Sequence, residues 1–182
     1  MKKHLLLCLA TAAFRLSAAE LSDPSAQAKV TTRIAEIVAW AADPVIVEAV
    51  KARNAAGLEG DMASMTQEKW RSLSVLDPFV RSFSKNPAGQ FLKSKKDAWV
   101  TLTFLSDAAG YKVAFTAKTT NWCHKGQDKH EVPMTGKIWQ GPVEVNQASG
   151  LQQIQVAVPV LDGGKPIGSL VVGLSVLALS GD

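Results

Sequence analysis

Gln153-Ile154-Gln155-Val156-Ala157-Val158-Pro159-Val160 alternates branched apolar residues with less apolar ones, the period of two that marks a strand with one face in a core. Leu161-Asp162-Gly163-Gly164-Lys165-Pro166 follows, a turn composition, and Ile167 to Val176 then forms a second apolar run. Two such runs around a glycine-rich turn read as a hairpin of long paired strands. Pro159 has no N–H for a ladder, so its place is an edge or a bulge. Residues 167–179 are too few to cross a bilayer, which takes about twenty apolar residues.

Upstream, Val100 to Leu105, the turn Ser106-Asp107-Ala108-Ala109-Gly110 and Tyr111 to Thr116 give a second hairpin. Val143-Glu144-Val145 supplies a further strand, so the back of the chain holds five antiparallel strands.

The front of the chain has the other period. Asp23-Pro24, Asp43-Pro44, Asp77-Pro78 and Asn86-Pro87 repeat one device: an Asx side chain to cap free N–H groups, then proline at the first helical position. Between the first two, Val30, Ile34, Ile37, Val38 and Ala41 form one apolar stripe on a long helix. A second helix runs from Pro44 to Ala56, before Gly57 and Gly60. Ser64-Met65-Thr66-Gln67 fits a capping box opening a helix that carries Trp70 and Arg71. Short helices follow over 78–83 and 87–93.

With 182 residues, 47% hydrophobic and 20% charged, the composition is that of one globular domain, not of a disordered or multi-pass membrane chain. Residues 1–19 read as a secretory signal: Lys2, Lys3 and His4, then an apolar run from Leu5 to Phe14, then Ser17-Ala18-Ala19 as a cleavage site. The expected mature domain is 20–182, in the periplasm. The formal charge is +4, but three basic residues (Lys2, Lys3 and Arg15) fall in the leader, and the remainder carries 17 basic against 16 acidic residues. Nothing there indicates a nucleic-acid partner. Cleavage leaves Cys123 as the sole cysteine, so no internal disulfide is expected.

Three segments together resemble the Cache, or PDC, extracellular sensor domains: Asp43 to Lys51 with Asn54, the hairpin at Asp107 to Gly110, and above all Gln153 to Gly168. The resemblance spans nearly the whole mature chain in the right order. It implies an α+β, PAS-like fold with a long N-terminal helix packed on a five-stranded antiparallel sheet and short covering helices. It also implies a small-ligand pocket between the sheet and its cover. Such domains bind organic acids, amino acids or similar metabolites without chemistry, and most are the outer parts of membrane receptors. Here neither a second span nor a cytoplasmic module is read, so a freestanding exported sensor is expected, passing its state to a membrane receptor or transporter. The long first helix often mediates dimers in this fold, and Trp40 near its end stands either at such a contact or in the core.

By the same resemblance the pocket involves the segment from Lys118 to His130. The family places an acid before the aromatic residue there; Asn121 before Trp122 replaces it, which favours an organic acid over an amino acid. Residues 85–140 hold nine lysines against four acids, and a rim of Lys118, Lys125 and His124 would attract a carboxylate. Trp122 is read as a lid or as core, Arg71 as a carboxylate fork or a surface residue, Asn146 as a pocket donor or a turn residue, and Gln155 as a pocket residue from the less apolar face of its strand. The candidate ligand-binding set is therefore Trp122, Lys118, Asn121, His124, Arg71, Asn146 and Gln155.

The rival reading is a metal or haem site from Cys123, His124, His130 and Met134, donors suited to copper or zinc. Their spacings match no metal motif, and no cofactor is expected. No nucleophile elbow, phosphate loop or carboxylate pair is present in the sequence, so no enzymatic activity is expected either.

Overall fold

A computed structural model describes residues 23–146 and 149–181; the expected leader, 1–19, lies outside them. Helices occupy the front: α1 (Pro24–Ala41), α2 (Pro44–Ala56), α3 (Gln67–Ser72), α4 (Pro78–Lys85) and α5 (Pro87–Ser94). Asp23, Asp43, Asp77 and Asn86 accept backbone N–H groups at the starts of α1, α2, α4 and α5, each with proline at the first helical position. The capping box is corrected at α3. Thr66, not Ser64, is the cap, and its hydroxyl accepts the Lys69 N–H at 3.1 Å.

The back forms β1 (Val100–Asp107), β2 (Lys112–Phe115), β3 (Trp139–Val145), β4 (Gln152–Asp162) and β5 (Lys165–Ser175). They make one antiparallel sheet in the order β2-β1-β5-β4-β3. This is the PAS-like α+β arrangement that the sequence resemblance implies. Pro159 lies opposite Ser169 of β5, while β3 pairs with β4 only as far as Ala157. The missing N–H therefore falls where β4 has lost one neighbour.

Two short helices lay outside the sequence reading: α6 (Asp128–Met134) and α7 (Val176–Ser180). The apolar run reaches Val176, but the last strand stops at Ser175, whose hydroxyl accepts the Ala178 N–H at 3.3 Å and caps α7. None of the described helices is long and apolar enough to cross a membrane.

The sheet separates two cores. On one face Ile154, Val156, Val158 and Val160 of β4 meet Leu170, Val172 and Leu174 of β5, and Val30, Ile37, Ile46, Val50 and Leu92 from α1, α2 and α5 cover them. The other face carries Phe104, Phe115, Ala157 and Val171, packed with Trp70, Val80, Phe83 and Trp122. The alternation in β4 thus sorts its branched residues under the long helices and leaves Gln153, Gln155 and Ala157 for the second face. Trp40 is partly buried and stacks on Trp99 with centroids 5.4 Å apart, and the Arg33 guanidinium lies 4.4 Å from the centre of the Trp99 ring.

Candidate functional site

On the second face, the apolar cluster does not extend to the end of the sheet that carries Gln153 and Gln155. A cavity of about 470 Å³ opens there. Leu102 and Phe104 of β1 and Gln153 and Gln155 of β4 line it from the sheet, residues 117–121 and His124 from the segment after β2, Lys129 from α6, and Glu144 and Asn146 from the end of β3. Gly173 of β5 leaves room for two of the lining side chains to meet across it. A Cβ on it would lie 2.3 Å from Thr101 Oγ1 and 2.6 Å from Gln153 Oε1, closer than real atoms approach. Those two side chains instead meet over the glycine, the Thr101 hydroxyl donating to Gln153 Oε1. Gln153 Oε1 also accepts from Asn146 Nδ2 at 3.0 Å, and its Nε2 donates to Glu144 at 2.8 Å.

The covering segment is fastened at both ends. The indole N–H of Trp70 donates to the Thr119 carbonyl at 2.8 Å, and Gln67 Nε2 donates to the Thr120 carbonyl at 2.8 Å. Lys118 Nζ donates to the Leu73 carbonyl at 2.7 Å and sits 5.1 Å from the centre of a Trp70 ring. Burial lowers its pKa. At the other end the His124 N–H donates to the Gly110 carbonyl at 2.9 Å. Gly110 has φ +86°, and a Cβ there would lie 2.6 Å from the Lys125 nitrogen, so only glycine lets the β1–β2 turn approach the segment this closely.

Basic side chains gather around the cavity. Lys129 Nζ donates to Gln155 Oε1 at 2.8 Å. His124 is buried with its ring stacked on Phe104, centroids 4.3 Å apart. Behind it Lys112 of β2 is wholly buried, with Nζ 2.8 Å from His124 Nδ1 and 3.3 Å from Nε2. Burial, reinforced by the charges of Lys112, Lys129 and His130, pushes the His124 pKa down to about 2. Burial holds Lys112 well below the ordinary lysine value. Lys129 is lowered by burial against the pull of Glu144.

Of the seven candidate residues, Lys118, Asn121, His124, Asn146 and Gln155 line this cavity. Trp122 does not: it is 3% exposed and packs against Trp70, Phe79, Phe83 and Tyr111. Arg71 is exposed on α3 and is also absent from the lining. Lys112, Lys129, Glu144, Thr101 and Gln153 were missed. For Lys112 there was a signal, a lysine opening the otherwise apolar strand Val113-Ala114-Phe115.

Three of the four residues of the metal reading, Cys123, His130 and His124, have separate engagements. The Cys123 thiol faces the Ala109 carbonyl at 3.4 Å, His130 Nδ1 lies 2.8 Å from Ser169 Oγ, and His124 is held by Lys112. Among the described residues, no three His, Cys, Asp or Glu side chains are grouped to hold a metal ion.

The sequence matches no protein-family model and no curated protein. Among solved structures the chain is similar to the sensor domain of the E. coli protein DcuS, with 14% identity, 87% of this chain and 96% of that one covered, and a TM-score of 0.48. It is also similar to the sensor domain of the V. cholerae histidine kinase DctB, with 12% identity, coverage of 85% and 55%, and a TM-score of 0.43. A third is the ligand-binding domain of the Pseudomonas aeruginosa amino-acid chemoreceptor PctC in complex with GABA, with 13% identity, coverage of 85% and 58%, and a TM-score of 0.46. The chain spans little more than half the length of the DctB and PctC domains. Each of these similarities is to a sensor or ligand-binding domain.

Proposed function

We propose that this chain is an exported, periplasmic sensor domain that binds a small organic acid in the cavity over Gln153 and Gln155 and carries out no reaction on it. The observation that supports the ligand class is the set of bases around one space: Lys129 and His124 on the wall, Lys118 on the cover and Lys112 behind. Glu144 is the acid in the lining, and its carboxylate accepts from Gln153. In a partly dry cavity, charge-assisted hydrogen bonds to a carboxylate are about twice as strong as neutral ones. The polar row of Gln153, Gln155 and Asn146 supplies orientation.

A bound anion would bridge the cover, through Lys118 and Asn121, to the sheet, through Gln155. That favours a closed form, and a membrane receptor or transporter would read it by differential affinity. Export by cleavage after Ala19 belongs to the same proposal.

The test is a thermal-shift screen against carboxylic acids, amino acids, purines and divalent metals. A ligand binding only the folded state at 100 times its Kd stabilises by about 2.7 kcal/mol. A carboxylate that shifts Tm in the unmodified chain and fails in Lys129→Met supports the reading. A shift by metals alone, or by purines alone, overturns it.

A further inference from the structure

Lys112 and His124 stand together with no acid to balance them. Lys112 is wholly buried, and among the described residues no carboxylate forms an ion pair with it. Its ammonium position is taken up by the two ring nitrogens of His124, at 2.8 and 3.3 Å, and by the Phe104 ring 4.9 Å away. The same Phe104 ring stacks on His124, and both Phe104 and His124 line the cavity. The other ionisable groups around the pair are Cys123 beside it in the chain and Lys129 and His130 on α6. The nearby acids serve other residues: Glu144 of β3 acts on Lys129, while Asp107 of β1 and Glu131 of α6 act on His130.

Two bases that share one short contact in a dry site can hold one extra proton between them, but only beside a counter-charge, because an isolated buried charge is costly. The protein supplies none at this point, and the nearest open space is the cavity. Resting on the carboxylate reading above, we propose that Lys112 and His124 form one proton-holding unit behind the cavity wall, neutral when the cavity is empty and charged when an anion fills it. Binding of a carboxylate then takes up one proton from water onto a nitrogen of the pair, and no other bond is made or broken. Both groups sit below their ordinary pKa values in the empty protein, for reasons of burial first. The consequence is a sensor whose affinity for its anion rises as its surroundings acidify.

Calorimetric titration of the full chain with acetate, pyruvate, succinate and citrate, in buffers of different ionisation enthalpy, reads the protons taken up directly. For a carboxylate that binds, one proton per anion is expected, with Kd falling by about tenfold for each pH unit of acidification where the empty pair is neutral. Lys112→Met and, independently, His124→Phe should bind more weakly and lose the proton uptake. If a carboxylate binds with no proton uptake and a pH-independent Kd, the proton-holding pair is overturned and the carboxylate reading stands. Binding by none of the four acids overturns both.

Discussion

The Lys118 ammonium donates to the carbonyl of Leu73 at 2.7 Å, joining the segment that roofs the cavity to the residue that ends α3. The cation therefore fastens the roof, while the residue itself lines the space beneath it. Lys118→Met keeps an unbranched side chain of similar length and removes both the hydrogen bond and the ammonium over the Trp70 ring. The expected cost is about 1 kcal/mol of stability, read as a lower denaturant midpoint, with weaker ligand binding because the roof is looser. An unchanged midpoint would show that the bond does not hold the roof.

Trp122 lies in the aromatic cluster with Trp70 and Phe83, away from the cavity. Trp122→Ala should cost about 3–5 kcal/mol, the range for deleting a buried aromatic side chain. Trp122→Phe, which keeps most of the apolar volume, should retain ligand binding. A Trp122→Phe protein that is fully stable but blind to ligand would return Trp122 to the role of a lid.

Gly173→Ala is expected to be harmful out of proportion to one methyl group. The new Cβ would meet Thr101 Oγ1 and Gln153 Oε1, and overpacking of this kind costs about 1–3 kcal/mol. Because Gln153 also holds Asn146 and Glu144, the displacement should spread along the cavity floor and abolish the ligand-induced rise in Tm. Wild-type Tm and wild-type ligand response in Gly173→Ala would contradict this placement.

Acid should unfold the protein through His124. Its folded pKa is pushed down to about 2, while in the unfolded chain a histidine titrates near 6.5. Below that value the unfolded state binds a proton that the folded state refuses, so stability falls as pH drops, by at most about 1.4 kcal/mol per pH unit for this group. His130, also lowered by burial, acts in the same direction. Chemical denaturation between neutral and mildly acidic pH should show this slope, and His124→Phe should flatten it.

The elements that rest on local chemistry are legible along the chain. Four Asx-Pro pairs mark four helix starts because the cap and the fixed φ act within a few residues. The alternation in 153–160 assigned each residue to one of two faces, since successive side chains of a strand point oppositely. That is enough to expect the sheet and to suspect Gln155. Short elements were less legible: α6 has seven residues and contains Pro133, and α7 has five, too few turns for a period to appear.

Which polar groups share a space depends on how distant segments pack. Lys112 and His124 are separated by a hairpin edge and a loop, and they meet because Gly110 lets the turn pack against that loop. Glu144, Gln153 and Thr101 come from three strands and converge over Gly173. Trp122 and Arg71 belong to residue types that suit a ligand, yet one is placed in the core and the other in solvent. Burial and partnership are set by contacts between segments far apart in the chain, and no local pattern encodes them.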